Sequence, residues 1–247
     1  MNPFEWVKLI VQGLGYIRDL VDPRDRLLQE AELSRDLPRE VLPRHGLEPR
    51  DQAGQSCTGS IVLAYQISEV LKGRNCPGLS AQYNYRGARF LGGLLNRDGG
   101  ATLRDAAKAL VKYGAPPEEL FPDTLLNVYR APSLAASKAA FKIRGIRGYY
   151  RIPEGDTNGV RVAIANDAPV IAGWDVDAAF LARRGRSLID AVNDAIVGKH
   201  ASILDSYYQD GSYGLLNSWG KTWRDNGRVR VTENFVGKAF DLWAIVT

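Results

Sequence analysis

The sequence predicts an α+β protein in which a helical first half packs against a β-rich second half, with a cleft where the two halves meet. Three observations support this prediction. Apolar residues recur at helical spacing before about residue 145, short β-branched and aromatic runs follow, and an apolar fraction of 45% is enough for a substantial core. The second half should form a twisted antiparallel sheet or barrel.

The first 37 residues are predicted to form a helical extension. Apolar residues recur at helical spacing over 7–21, and a second, charged helical stretch follows at 25–33. The residue before Pro38 avoids the helical region, so the main domain, 38–247, should begin there. An amphipathic helix in the extension, 1–37, could dock a partner protein or a larger assembly, or the extension could be a short propeptide.

Two helices are predicted in the first half of the main domain. The stretch from Cys57 is apolar on nearly every side for about four turns, so it predicts a helix buried all round that ends at Gly73. The second helix should begin after Thr102, whose side chain can cap it, with Asp105 three residues later and Gly114 as its stop.

The second half is predicted to contain strands. One helix lies among them, with Val160, Ala163 and Ile164 on its apolar face. The predicted strands are GYYRI (148–152), PVIAGWDV (169–176), HASILDSYY (200–208), SYGLLNSW (212–219) and GRVRVTE (227–233).

Composition excludes several classes of function. Two cysteines and two histidines provide no zinc spacing and no disulfide framework, so we expect no metal and no cofactor. The net charge of +4 is spread along the chain without a basic stripe, which argues against nucleic-acid binding. We find no signal peptide and no uncharged apolar stretch of membrane-spanning length. The sequence therefore predicts a cytoplasmic or particle-associated protein.

Three residues suggest a nucleophilic site. Cys57 begins the buried helix, where a helix N-terminus and a nearby histidine would lower the pKa of its thiol. His200 begins a hairpin whose turn is Asp210-Gly211, and Asn217 lies toward the same end of the two strands. An asparagine amide oxygen can hold a histidine in the tautomer that accepts a thiol proton.

Four segments together resemble the papain-like cysteine peptidase family, in particular its bacterial and viral members. The resemblance extends over about residues 38–245, and His200 follows Cys57 by 143 residues, within the range of about 130–150 typical of such enzymes. The segments are RDQAGQSCTGSIVLA (50–64), LSAQYNYRGAR (79–89), the strand, helix and strand of 147–176, and GLLNSWGKTWRDNGRVRV (214–231).

The resemblance implies a papain-like fold with the nucleophile helix in the helical half, and hydrolysis of peptide or protein substrates through a thioester. It implies Cys57 as nucleophile, His200 as base and then acid, and Asn217 as the residue that orients the histidine. Gln52 would donate a hydrogen bond in the oxyanion hole, beside the Cys57 backbone N–H. Trp219 would shield the histidine–asparagine bond from water.

The sequence departs from the family pattern near the nucleophile and the base. The usual glutamine precedes the cysteine by six residues, but Gln52 precedes Cys57 by five, which makes Gln55 a rival donor. We favour Gln52, because a donor two residues from the nucleophile would be badly aimed. Lys199, next to the base, should disfavour imidazolium by charge repulsion unless it points to water.

The remaining cysteine and histidine are given no part in the chemistry. Cys76 lacks the disulfide partner that many eukaryotic members provide, so it should be a free thiol. His45 should be a surface or packing residue. Asp205 is unusual, because it lies on a strand where the family is usually apolar.

Two alternatives to a peptidase stay open. The chain could keep the papain-like fold as a structural or interaction protein of a larger, possibly viral, assembly with weak or no turnover. It could also be an acyl or amide transferase, since the first half-reaction is common to both enzyme classes.

Overall fold

The computed structural model describes residues 14–31, 33–143, 146, 148–185, 188–192 and 195–247. Its α-helices are α1 Ile61–Leu71, α2 Ala81–Leu91, α3 Leu103–Tyr113, α4 Leu125–Tyr129, α5 Leu134–Lys142, α6 Thr157–Ala165, α7 Ala178–Leu181 and α8 Glu233–Val236. Short 3₁₀ turns occupy Leu28–Glu30, Cys57–Ser60 and Glu118–Leu120.

The strands are β1 Tyr16–Ile17, β2 Ala101–Thr102, β3 Gly148–Ile152, β4 Val170–Val176, β5 Leu188–Ile189, β6 Gly198–Tyr207, β7 Tyr213–Leu216, β8 Arg228–Val231 and β9 Phe240–Val246. Strands β3 to β9 form one sheet in the order β3-β9-β4-β6-β7-β8-β5. Its neighbouring strands are antiparallel, except that β5 and β8 are parallel.

The helical half follows the predicted pattern. Helix α1 is buried from Ile61 to Ser68, and the 3₁₀ turn at Cys57–Ser60 leads into it. Helix α3 begins as predicted, because the Thr102 hydroxyl accepts a hydrogen bond from the Asp105 N–H at 3.0 Å. It ends at Gly114, whose φ of 70° suits glycine.

Two buried clusters pack against the sheet, one on each face. One joins helix α6 and its apolar residues Val160, Ala163 and Ile164 to strands of the sheet, as predicted. The other joins α1, α2 and α3 to the opposite face through residues such as Ile171, Ile203 and Trp243. A helical half therefore packs against a β-rich half, which agrees with the predicted fold class. Within the described residues, no helix has the length and apolarity to cross a membrane.

The N-terminal prediction is wrong where the structure tests it. Residues 1–13 lie outside the described residues, but Tyr16–Ile17 is a strand that pairs in parallel with Ala101–Thr102. Among the described residues of the stretch 25–33, the 3₁₀ turn Leu28–Glu30 is the only helical turn. Apolar spacing suggested a helix, but hydrogen bonds and packing with distant parts of the chain hold residues 14–25 in extended form. We call residues 14–25 the strap.

A buried ion-pair cluster explains the unusual Asp205 on β6. Its carboxylate accepts hydrogen bonds from Arg228 at 2.8 and 3.0 Å and lies 3.0 Å from His45 Nε2. Burial raises the pKa of Asp205, but the hydrogen bond with His45 and the charge of Arg228 outweigh burial and lower it. His45 is therefore a packing residue. Cys76 is a free thiol, as predicted.

Candidate active site

The sheet brings His200 and Asn217 together. His200 lies on β6 and Asn217 directly follows the neighbouring strand β7. His200 Nε2 is 2.6 Å from Asn217 Oδ1, and both residues are buried. The Ser218 N–H donates to the same amide oxygen at 2.8 Å, which fixes that atom as the acceptor.

This hydrogen bond determines the tautomer of the histidine. Because Asn217 Oδ1 can only accept, Nε2 of a neutral His200 must carry the proton, which leaves Nδ1 as the basic nitrogen. Nδ1 is buried and has no hydrogen-bond partner among the described residues. A basic nitrogen held in this way can accept a proton from a group brought next to it.

An aromatic cluster covers the imidazole. The Trp219 ring lies against His200 with the ring centroids 4.3 Å apart and the planes at 33°. Phe180 and Trp223 pack edge-on against Trp219, with ring centroids 5.9 and 5.6 Å from it. Trp219 therefore excludes water from the histidine–asparagine bond, as predicted for it. Trp223 is fully buried in this cluster.

Cys57 lies at the start of the 3₁₀ turn that leads into α1, next to strand β6. Backbone N–H groups of Ala201, Gly15 and Thr58 lie near its sulfur and lower the pKa of the thiol. Because Ala201 follows His200 on β6, the thiol lies beside the histidine's strand. No hydrogen bond joins the thiol to His200 Nδ1 within the described part of the chain.

Burial keeps the thiol and the imidazole uncharged. Cys57 and His200 have no solvent exposure. Burial raises the pKa of Cys57 to about 11, although its backbone hydrogen bonds lower it. Burial also lowers the pKa of His200 to about 4, although the bond to Asn217 raises it. The arrangement therefore holds a neutral thiol and a neutral imidazole at pH 7.

Lys199 has little influence on the charge states of the Cys57 thiol and the His200 imidazole. It forms an ion pair with Asp175 on the neighbouring strand β4 and lies 4.9 Å from the ring centre of Phe240. Its charge is compensated there, so the repulsion expected from the sequence is screened.

Gln52 and Gln55 occupy different positions in the short loop before Cys57. Gln52 is buried, donates from Nε2 to the Gly54 carbonyl at 3.0 Å and accepts from the Ser218 hydroxyl at 2.6 Å. Because a carbonyl only accepts, these bonds fix which end of the amide is the nitrogen. Gln55 is tied by its backbone N–H to Asp98 at 3.0 Å. Gln52 thus lies beside the residue that follows Asn217, and Gln55 does not.

Known proteins similar to this chain in sequence or fold are cysteine proteases or peptidase-like proteins. No family model matches the chain. An uncharacterized peptidase C1-like protein of Acanthamoeba polyphaga mimivirus is 24% identical over 228 residues, covering 85% of this chain and 73% of the relative. Xylellain, a cysteine protease from Xylella fastidiosa, matches with a TM-score of 0.85 and 24% identity over 96% of each chain. The chain has the papain-like cysteine protease fold.

Other papain-like structures match at lower similarity. Digestive procathepsin L 3 of Tenebrio molitor larval midgut matches with a TM-score of 0.74 and 20% identity, covering 100% of this chain and 80% of that one. The bromelain protease from Ananas comosus matches with a TM-score of 0.61 and 18% identity, covering 85% and 99%. The family resemblance and the α+β papain-like fold predicted from the sequence are confirmed.

The strap fills the papain-like cleft over the cysteine. The Gly15 N–H lies near the Cys57 sulfur, and the Gly15 carbonyl accepts from the Ala101 N–H at 3.0 Å. A Cβ on Gly15 would overlap the carbonyl of Gln55, so only glycine fits at this point. The strap therefore covers the nucleophile from the side of the helical half.

Glycines in the β-rich wall make room for the strap side chains on either side of Gly15. A Cβ on Gly173 would overlap the ring of Tyr16, and a Cβ on Gly198 would overlap the side chain of Leu14. Tyr16 is 4% exposed. The two walls of the cleft are thus shaped closely around this segment.

Buried polar contacts fix the strap beyond Tyr16. The Tyr16 hydroxyl donates to Asp241, and the Asp19 N–H donates to the same carboxylate at 2.6 Å. The Asp19 carboxylate accepts from Trp243 Nε1 at 2.9 Å. Burial, and then the nearby Asp241, raise the pKa of Asp19 to about 6. Local sequence patterns do not reveal these anchors, because each joins residues more than 200 positions apart.

Proposed function

We propose that the chain is a cysteine peptidase kept latent by its own strap. The observation that carries the catalytic part is the 2.6 Å contact between His200 Nε2 and Asn217 Oδ1, next to a cysteine at a helix start. It leaves a basic Nδ1 on a histidine of β6, and the turn that begins with Cys57 packs against the same strand, which suits the thiol–imidazole pairing that thiol catalysis requires.

The reaction proceeds through an acyl-enzyme. His200 Nδ1 takes the proton of Cys57, and the thiolate attacks the carbonyl carbon of a peptide bond. The Cys57 N–H and Gln52 Nε2 stabilise the oxyanion of the tetrahedral intermediate. The intermediate collapses as His200 gives its proton to the leaving amine. Water, deprotonated by the same imidazole, then hydrolyses the thioester and restores the thiol.

Latency rests on the state of the thiol and the imidazole beneath the strap. With a Cys57 pKa of about 11 and a His200 pKa of about 4, the pair does not form thiolate and imidazolium near pH 7. The strap also occupies the position over the sulfur that a peptide carbonyl would need. Of the two roles predicted for residues 1–37, these contacts favour an inhibitory propeptide over a docking element.

A full-length variant that displaces the strap tests the proposal. In Gly15→Val the added side chain overlaps the Gln55 carbonyl, so the strap cannot stay in place. We call this variant the strap-displaced protein. We expect it to hydrolyse peptide substrates and react with an epoxide probe at Cys57, whereas the same protein carrying Cys57→Ala does neither.

The same experiment distinguishes the peptidase function from the alternative that the chain is a structural or interaction protein. A strap-displaced protein that labels at Cys57 but hydrolyses no member of a diverse peptide library would contradict a peptidase and favour the structural role. Transfer of the acyl group to an added amine, in preference to water, would identify a transferase.

A further inference from the structure

We infer that Asp98 is a positioning residue, which aims the side-chain amide of Gln52 by fixing the peptide group between Gly54 and Gln55. The inference rests on the proposed peptidase function, because it concerns the oxyanion hole of the same site. Asp98 acts through the backbone of the short loop before Cys57, and not by contact with the substrate.

The peptide group between Gly54 and Gln55 is held from both sides. Its N–H donates to Asp98 Oδ2 at 3.0 Å, and its carbonyl oxygen accepts from Gln52 Nε2 at 3.0 Å. Because a trans peptide group is planar, its N–H and its C=O point in opposite directions. The bond to Asp98 therefore determines which way the carbonyl points, and with it the acceptor that the Gln52 amide meets.

The Asp98 carboxylate is itself anchored to helix α2. Its Oδ1 accepts from the hydroxyl of Tyr85 at 2.5 Å, and the same hydroxyl accepts from the Gly100 N–H at 3.1 Å. Tyr85 lies on α2 and is fully buried. Because each carboxylate oxygen has its own donor, the group cannot rotate without breaking a hydrogen bond. The loop is thus tied to a rigid part of the helical half.

Gly54 allows Asp98 to approach the loop closely. Its φ is 63°, and a Cβ there would overlap Asp98 Oδ2 and lie 3.2 Å from Val128 Cγ2. Glycine adopts this backbone conformation without strain and leaves space for the carboxylate. The short connection from Gln52 to Cys57 is therefore shaped around Asp98.

The direction of the Gln52 amide depends on this peptide group. Gln52 Oε1 accepts from the Ser218 hydroxyl at 2.6 Å, so the Gly54 carbonyl and Ser218 hold opposite ends of the amide. If the peptide group turned over, its N–H would face Nε2, and two donors would meet. A primary amide nitrogen can donate two hydrogen bonds, and the oxyanion contact uses this same nitrogen. Loss of the Asp98 bond should therefore misdirect the oxyanion donor.

The expected effect is on kcat rather than on KM. A donor to the oxyanion acts in the transition state, so its loss lowers kcat and kcat/KM together. Because a displacement of about 1 Å can cost about 100-fold in rate, we expect Asp98→Ala in the strap-displaced protein to lower kcat by about 10- to 100-fold. KM should change by less than about threefold.

A double-mutant cycle tests whether Asp98 acts through Gln52. When Gln52→Ala is already present, adding Asp98→Ala should change kcat by less than about twofold, because the group that Asp98 aims is gone. A further loss as large as in the Gln52 protein, or an unchanged kcat in the single variant, would overturn the inference. Asp36→Ala, at an exposed position, is the control and should leave kcat unchanged.

A conservative substitution should restore most of the lost kcat. In Asp98→Asn the amide oxygen can still accept from the Gln55 N–H, while the amide nitrogen donates to the Tyr85 hydroxyl. An Asp98→Asn protein as slow as Asp98→Ala would contradict a role based on this acceptor. If Asp98→Ala does not fold, Asp98→Ser takes its place, because its side chain is polar but too short to reach the Gln55 N–H.

A second test needs no turnover. In the full-length Cys57→Ala protein, NMR detects the side-chain amide protons of Gln52, which are assigned by their loss in Gln52→Ala. We expect Asp98→Ala to shift these signals and to speed hydrogen exchange of the Gln55 N–H by at least about 10-fold, and Asp98→Asn to do neither.

The two tests separate the inference from the proposed function. Unshifted Gln52 signals in a folded Asp98→Ala protein would overturn the inference, whether or not peptides are hydrolysed. Shifted signals in a protein whose strap-displaced form hydrolyses no peptide would overturn the proposed peptidase and leave the control of Gln52 by Asp98 standing.

Discussion

Gly15→Val should convert a protected cysteine into a reactive one. In the wild-type protein, burial beneath the strap holds the pKa of the Cys57 thiol at about 11, against an ordinary value of 9.0. Only the thiolate reacts with alkylating reagents. Valine at position 15 overlaps the Gln55 carbonyl, so we expect the strap to leave and the thiol to become solvated.

The size of the expected increase in the alkylation rate of Cys57 follows from the pKa of its thiol. A fall of two pKa units raises the thiolate fraction at pH 7 by about 100-fold, so the alkylation rate of Cys57 should rise by at least that factor. Access of the reagent adds to this increase, as does any pairing of the freed thiol with His200.

The assay follows iodoacetamide labelling of each cysteine by mass spectrometry over time. Cys76, which is partly exposed, provides an internal reference whose rate should not change. Gly78→Val is a matched control, because a Cβ there meets no atom within 4 Å. A Gly15→Val protein that labels Cys57 no faster than the wild type, with folding verified by circular dichroism, would refute the strap mechanism.

Three further predictions concern the base, the oxyanion hole and the buried ion pair. In the strap-displaced protein, His200→Ala should lower kcat/KM by about 10²- to 10⁴-fold because the general base is lost, and a loss below tenfold would argue against this role. Gln52→Ala should lower kcat by about 10²- to 10³-fold, whereas Gln55→Ala should change it little; the reverse order would identify Gln55 as the donor. Asp205→Ala should lower the free energy of unfolding, measured with urea at pH 7, by about 3–5 kcal/mol, because it leaves the buried His45 and the partly buried Arg228 without their carboxylate partner. Asp36→Ala is the control for that measurement and should change stability little, because Asp36 is exposed and its side chain forms no ion pair within the described residues. Because the pKa of Asp205 is lowered on folding, its stabilisation is present above its ordinary pKa and is lost as the pH falls through the folded value, so the two proteins should converge in stability in acid.

Local patterns were sufficient to predict much of the fold. The cap at Thr102 and the stop at Gly114 are interactions within one helix, so sequence spacing alone reveals them. The turn at Asp210-Gly211 fixes the pairing of β6 with β7, and that register brings His200 to Asn217. Helix α2 was not predicted from periodicity, although Ser80 caps it by accepting from the Tyr83 N–H.

Strand β9 was also missed, although FDLWAIV is an apolar, partly β-branched run of strand length. The predicted strands end at residue 233, whereas β9 lies inside the sheet between β3 and β4. The local signal for this strand is present in the sequence.

The strap could not have been found from local patterns. Its apolar spacing is compatible with a helix, and the partners that draw it into extended form are Asp241 and Ala101, which are distant in sequence. Gly15 is the one local indication, since it disfavours a helix and permits close approach. The pKa values of the thiol and the imidazole were equally unpredictable, because they depend on the solvent that the strap excludes.

The strap joins the two walls of the cleft to each other. Its strand β1 pairs with Ala101–Thr102 in the helical half, while Tyr16 and Asp19 bond Asp241 in the sheet. A segment held by both walls couples their opening motions, so amide hydrogen exchange in the two halves should respond together to its loss. Its removal would therefore expose a thiol and also allow the backbone amides of the two halves to exchange hydrogen as separate cooperative units. The protection of amides against exchange should fall first at Ala101 and along β9.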